Sequence, residues 1–203
     1  PPLAEVWTPT ARLTVFSGDY FQLAKHEAGF AWGRGTRAPA DQAPEQLWLE
    51  QDGHAGTPIT HYTGDLEAVE HLLYDVTTLG HQLRPPQSVA VIGAGGGRDV
   101  LSALLTGATT IDAIELNPGT IELVSERFGD FSGDIYHQPG VTAVAREGRS
   151  HLTHSPRSFD LVQLSLIDSW AASAAGAFAL AENNLYTLEA FQLYLDRLTR
   201  KGV

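Results

Sequence analysis

The run VIGAGGGRD, Val91 to Asp99, sets four glycines and an alanine between an apolar strand pattern and a helical one. Glycine lacks a Cβ, so a loop of this kind turns sharply and lets backbone lie flat against a ligand. A strand, such a loop and a helix in succession commit the chain to a βα unit, and the residues that follow repeat it. SVAVIGA (88–94) reads as a strand, and DVLSALLTGA (99–108) as a helix with Leu101, Leu104 and Leu105 inward. TIDAIEL (110–116) is the next strand. Asn117 caps a helix with Pro118 at its first position and Ile121, Val124 and Phe128 on one face. VTAVAR (141–146) and FDLVQLSLI (159–167) are further strands. LYTLEAFQLYLDRL (185–198) is a helix whose expected inward stripe is Leu188, Phe191, Leu195 and Leu198. Strands alternating with helices imply an α/β fold, a Rossmann-like, methyltransferase-type doubly wound parallel sheet. Ligands of such sheets bind at the carboxyl ends of the strands.

The first third is patterned differently. RLTVF (12–16) and DYFQLA (19–24) flank Ser17-Gly18, and LWLEQ (47–51) and PITHYT (58–63) flank the turn dipeptide Asp52-Gly53. These read as hairpins of a small antiparallel β domain, with Tyr20, Phe21, Trp48 and Tyr62 in its core. Asp65 then caps a helix carrying Leu66, Val69, Leu73 and Val76 and ending at Gly80. The expected organisation is an N-terminal β-hairpin domain over 1–64 and a Rossmann domain over 65–203. The last helix calls for a further strand, so the C-terminal strands of the sheet are expected to be missing from this chain. The chain starts at Pro1-Pro2 and contains no methionine. It therefore reads as part of a longer protein whose flanks have room for membrane segments. Within the chain no apolar run approaches membrane-spanning length. There is no cysteine, hence no disulfide framework and no thiolate zinc site. The net charge of −11 disfavours nucleic-acid binding and suits a cationic substrate, although acidity also serves solubility alone.

Three ligand classes compete for the glycine loop. No lysine follows it, so a Walker phosphate loop fails. A dinucleotide loop wants a third glycine at the position of Arg98. The spacing Gly93-x-Gly95-x-Gly97 fits a sulfonium nucleoside, which has no phosphate. Glu115 ends the next strand, where a carboxylate can accept both ribose hydroxyl hydrogens. Nicotinamide and sulfonium nucleosides share that feature. Glu147 ends the following strand, in AREGRSHL, where a side chain can reach an adenine edge. His151 and His154 are three residues apart without a third ligand, so no metal is expected. Ser165 and Ser169 lack the G-x-S-x-G elbow of a hydrolase.

The segments VAVIGAGGGRDV, AIELNP, REGRSHL, FDLVQLSLIDS and LYTLEAF together resemble the spermidine synthase (polyamine aminopropyltransferase) family, from about Leu47 onward. More narrowly, they are similar to the spermidine-synthase-like domains of large bacterial proteins. The resemblance implies a transferase that binds decarboxylated S-adenosylmethionine and moves its aminopropyl group to an amine, such as a polyamine, leaving methylthioadenosine. It implies a cytoplasmic location, or a cytoplasmic domain of a membrane-associated protein, and is compatible with a homodimer. Gly93, Gly95 and Gly97, with Asp99 beside them, fall on the nucleoside loop, Glu115 on the ribose acid and Glu147 on the adenine-edge acid. Tyr74, Ser165 and Tyr186 fall on substrate-facing positions. Asp168 falls on the second aspartate of the family's D-x-x-D-P segment and is the expected catalytic carboxylate.

Five positions depart from the family pattern. Ser165 replaces the first aspartate and Ser169 the proline of the D-x-x-D-P segment, Gly96 replaces the glycine-loop aspartate, and Asp75 and Val76 stand where histidine and glutamate are expected. A changed acceptor follows from those departures. S-adenosylmethionine-dependent methyl transfer, or a non-catalytic nucleoside-binding regulatory domain, are the alternatives. Trp170 and the alanines after it are expected to pack as a lid or against a partner.

Overall fold

The computed structural model describes residues 1–21, 30–38, 44–53, 55–167 and 184–203. Strands β1 (Ala4–Trp7), β2 (Arg12–Phe16), β3 (Gln46–Gln51) and β4 (Ala55–Thr60) form an antiparallel sheet in that order. Asp52 and Gly53 both take positive φ, 53° and 72°. That is the geometry that twists a two-residue turn to match its strands. The strand expected over DYFQLA is absent at its start, where Gly18–Phe21 forms a 3-10 turn. β2 pairs instead with β3, Phe16 opposite Trp48, and with β1, which the sequence did not announce. Trp48 and Tyr62 are buried.

The second sheet contains β5 (Ser88–Ile92), β6 (Thr110–Glu115), β7 (Val141–Ala145) and β8 (Leu161–Leu164), all parallel, in the order β7-β6-β5-β8. The chain leaves β5 in one direction and returns on its other side, so a switch point lies at the end of β5, beside the glycine loop.

Between the sheets the expected continuous helix is broken. Glu67–Tyr74 and Val76–Thr78 are 3-10 segments, and only α1 (Leu79–Leu83) is α-helical. The Asp65 side chain does accept from the Glu67 N–H at 3.0 Å. Asp75, however, is extended (φ −96°, ψ 145°), and its carboxylate takes the N–H groups of Trp32 and Thr77. Tertiary hydrogen bonds override the helical period there, and Val76 ends up exposed.

Helices α2 (Arg98–Leu105), α3 (Pro118–Glu122), α4 (Gly129–Ser132), α5 (Gly148–His154) and α6 (Leu188–Asp196) complete the fold. Asn117 caps α3 by accepting from Gly119 N–H at 3.0 Å, with Pro118 at the first position. One buried cluster joins Leu13, Val15 and Ile59 of the first sheet to Val89, Val91 and Leu101. A second unites Ile92, Ile114, Leu152, Phe159, Ala190 and Tyr194.

The stripe expected inward on α6 is outward: Leu188, Phe191 and Leu195 are 70%, 52% and 68% exposed. Ala190 and Tyr194 face the sheet instead. A small side chain lets α6 approach closely, and the Tyr194 hydroxyl donates to Leu185 carbonyl at 2.8 Å. No described helix is long and apolar enough to cross a membrane.

Candidate active site

Glycine geometry shapes the loop after β5. Gly93, Gly95 and Gly97 have φ of 75°, 53° and 86°, the left-handed region that side chains resist. Gly93 N–H and Ala94 N–H both donate to the Ile114 carbonyl, at 2.9 and 3.1 Å, which ties the loop to β6. Gly95 N–H donates to Glu115 Oε2 at 3.0 Å, Gly96 N–H to Thr57 Oγ1 at 3.3 Å, and the Tyr136 hydroxyl to Gly95 carbonyl at 2.5 Å. The first sheet thus braces the loop through β4.

A cavity of about 230 Å³ opens at the carboxyl ends of β5, β6 and β7. Gly93, Gly95, Glu115 and Glu147 all line it, with Thr57 on the β4 side and Ile167 beyond β8. Burial raises the Glu115 carboxyl, and backbone N–H groups of Asn117, Gly95 and Leu116 oppose that rise by hydrogen-bonding the charged form. Glu147 serves as the N-cap of α5, accepting from Arg149 N–H at 2.8 Å and Ser150 N–H at 2.7 Å, so its side chain is fixed by the helix end that it caps.

Gly97 and Asp99 do not line this cavity. Gly97 is the left-handed cap of α2 and packs against Ile135. Asp99 turns into a buried polar cluster on the other side of the loop. Its neighbour Arg98, 4% exposed, spans that cluster. The guanidinium pairs with Asp75 at 2.5 Å, donates to Thr77 Oγ1 at 2.8 Å and stands 3.4 Å from Asp99 Oδ1. The side chain that argues against a dinucleotide loop is therefore an internal strut.

Above the cluster lies a second cavity, reached past Leu166, which borders both. Ser165, Tyr186, Trp32, Thr77 and Gln163 line it. Leu166 itself has φ of 51°, rare for a non-glycine residue and of a kind that concentrates at functional sites. Tyr74 lines neither cavity. It borders a third, with Arg34 and Arg37, on the far side of Val76. Asp168 lies outside the described residues, as do Ser169, Trp170 and the alanine-rich run after it. His151 and His154 diverge: one reaches Asp112 at 2.9 Å and the other its own helix carbonyl at Ser150.

No family model matches the chain. Over 142 residues it is 30% identical to polyamine aminopropyltransferase 2 of Pseudomonas aeruginosa, covering 68% of this chain and 37% of that one. Over 146 residues it is 25% identical to the polyamine aminopropyltransferase of Korarchaeum cryptofilum, covering 66% of this chain and 42% of that one. The spermidine synthase of Thermotoga maritima superposes with a TM-score of 0.60 at 16% identity, over 98% of this chain and 54% of that one. A spermidine synthase in complex with the transition state analogue AdoDATO gives 0.56 at 16% identity, over 98% and 53%. The chain is spermidine-synthase-like. It spans well under half the length of the curated relatives it matches.

In this spermidine-synthase-like chain the bare position in the glycine loop has a steric cause. A Cβ on Gly96 would collide with the backbone carbonyl of Pro58 in β4, so a carboxylate cannot stand there while β4 keeps its place. The functional residues that sequence reasoning missed are Thr57, which holds the loop, and the Asp75–Arg98 pair. The adjacency of Arg98 and Asp99 was visible, but its partners are over 20 positions upstream and carry no local signal.

Proposed function

We propose that the chain is the nucleoside-binding part of a group transferase of spermidine-synthase type, with residues 1–64 and 65–203 as its two units. The observation that carries this is the single cavity shared by the glycine loop, Glu115 and Glu147, with a second cavity opening beside it. The first has the features of an adenosine cradle: bare backbone at Gly93 and Gly95, a carboxylate at the end of β6 where ribose hydroxyls would lie, and an apolar wall from Ile92, Ile114 and Ile167. The second takes the acceptor amine. Decarboxylated S-adenosylmethionine, as co-substrate, brings the sulfonium leaving group. The chain's own residues orient it and the amine for in-line displacement, which supplies much of the rate.

Calorimetry with methylthioadenosine, S-adenosylmethionine and its decarboxylated form tests the binding step. Methylthioadenosine is expected to bind, and absence of binding by all three would remove the proposal. Incubation with decarboxylated S-adenosylmethionine and 1,4-diaminobutane should release methylthioadenosine, with Asp168→Asn abolishing the release. The bare Gly96 supports a second reading, methyl transfer from S-adenosylmethionine, because no loop aspartate would repel the carboxylate of that ligand. Tighter binding of S-adenosylmethionine than of its decarboxylated form would favour it.

A further inference from the structure

The second and third cavities lie at the two ends of one short ribbon. Gly33 carbonyl accepts from Val76 N–H at 2.9 Å, Gly35 N–H donates to Tyr74 carbonyl at 2.7 Å, and Arg34 pairs antiparallel with Asp75. Trp32 and Thr77 line the second cavity, Arg34 and Arg37 line the third, and Val76 forms the exposed ridge that borders both. Extended residues rise about 3.3 Å each, so positions 32 and 34 stand roughly 7 Å apart, about the span of a four- or five-carbon chain. The two ends differ in charge. Among the described residues, the second cavity is lined by no charged side chain, and Ser165, Gln163 and Thr77 supply polar groups. The third is lined by Arg34, Arg37 and one carboxylate, Asp75. Asp75 is 4% exposed and pairs with Arg98 at 2.5 Å, so its charge is spent inside the fold. What the described lining presents to solvent is the charge of two exposed arginines, a local reversal of sign in a chain of net charge −11.

We propose that the acceptor is an amine with an oxyanion at its far end, the amine seated in the second cavity and the anion held by Arg34 and Arg37, with Tyr74 beside them. The inference rests on the transferase reading and names its acceptor class. An ω-amino acid such as 4-aminobutanoate has the required shape. The planar fork of a guanidinium matches a carboxylate or a phosphate with two parallel hydrogen bonds. The second ammonium of a diamine would instead meet two like charges. The attacking nitrogen has to be uncharged, and a cavity without charged side chains favours the free amine over the ammonium by desolvation. The amine leaves its proton to solvent as it seats. Its lone pair then forms the N–C bond, the C–S bond breaks, and that electron pair stays on sulfur. The sulfonium becomes a neutral thioether and the product nitrogen carries the positive charge. Two departures from the family pattern agree with such an acceptor. Ser165 and Gly96 stand where aspartates are expected, and carboxylates there would repel an anionic tail.

The test compares 4-aminobutanoate, butylamine and 1,4-diaminobutane, which share one chain length and differ in the charge of the far end. Turnover is followed with decarboxylated S-adenosylmethionine, and binding by calorimetry on protein saturated with methylthioadenosine. The kcat/KM for 4-aminobutanoate should exceed that for butylamine at least tenfold, about 1.4 kcal/mol, a size that exposed guanidiniums can supply. 1,4-Diaminobutane should be turned over most slowly of the three. 3-Aminopropyl phosphate, run in parallel, separates the two oxyanions: the one with the larger advantage over butylamine is the one that the arginines take. Arg34→Gln with Arg37→Gln should bring the ratio of 4-aminobutanoate to butylamine close to one. Arg34→Glu with Arg37→Glu should invert the preference toward 1,4-diaminobutane. Arginines that only hold the loop in place would lower all acceptors together and leave the ratio intact. Wild-type protein that treats 4-aminobutanoate and butylamine alike, or binds neither, overturns the inference, as does an unchanged ratio in the folded double glutamine variant. Failure of methylthioadenosine to bind is a separate result and strikes the transferase reading.

Discussion

At Glu115 one carboxylate performs two tasks. It ties Gly95 N–H and Asn117 N–H, at 3.0 and 2.9 Å, and faces the first cavity. Glu115→Ala removes the acceptor and orphans two backbone donors, so methylthioadenosine affinity should fall at least tenfold and stability by about 1–3 kcal/mol. Calorimetry and urea denaturation separate the two losses. Unchanged affinity would show that no ribose contacts this side chain. Gly96 offers the opposite test. Installing the aspartate that the family pattern contains should not improve binding, because the Cβ meets Pro58 backbone before the carboxylate can act. Both Gly96→Asp and Gly96→Ala should lose about 2–3 kcal/mol, the size of an overpacking strain. Equal stability of wild type and Gly96→Ala would contradict the close approach of β4. The positions of Gly93, Gly95, Glu115 and Glu147 were legible in the sequence because strand ends and cap residues carry local signals. The burial of Arg98 and Asp99 was not, since it depends on Asp75 and Thr77, which reach the Arg98 guanidinium from a segment more than 20 positions upstream.

The elements around β5 are held by a second carboxylate, Asp160. It accepts from Gln87 N–H and Ser88 N–H, both at 3.1 Å, and from Thr199 Oγ1 at 2.8 Å, which joins the start of β5, the approach to β8 and the segment after α6. The Thr199 hydroxyl first of all holds this carboxyl below its ordinary value; burial, the next largest influence, works against it, and the Gln87 and Ser88 donors add to the lowering. A lowered carboxyl contributes stability above its unfolded value, near pH 3.8, and that contribution is lost as pH falls through the folded value. Asp160→Ala should therefore cost about 1–2 kcal/mol at pH 7, and the deficit should shrink in strong acid. A flat difference across that range would mean that the hydrogen bonds persist when the carboxyl is protonated. The parallel sheet was legible because each strand is a short apolar run bounded by turn or cap residues. α6 was misread because it is apolar on two faces: the leucine and phenylalanine stripe outweighs Ala190 and Tyr194 by hydrophobicity, yet packing against the sheet selects the narrower face. The 3-10 segments before α1 were misread because Asp75 exchanges a helical bond for tertiary partners.

For the whole molecule, stability against acid is set in part by histidines that fold uncharged. Both ring nitrogens of His71 are buried without a hydrogen-bonding partner, and the ring faces the guanidinium groups of Arg98 and Arg34, with Asp75 opposing them. Its value falls from 6.5 to about 4, first through burial. As pH drops below 6.5 the unfolded chain takes up a proton that the folded chain refuses until about pH 4, so stability is lost across that window. At pH 5 the loss from this one group amounts to about 2 kcal/mol. His71→Leu removes the titration and leaves no orphaned polar atom. Urea denaturation should show the variant within about 1 kcal/mol of wild type at pH 7.5 but about 2 kcal/mol more stable at pH 5. His81, lowered in the same direction by burial, keeps some acid sensitivity in the variant, so the curve flattens without becoming level. Parallel loss of stability in the two proteins would mean that water reaches the His71 ring and that the boundary between the sheets opens before the rest of the fold.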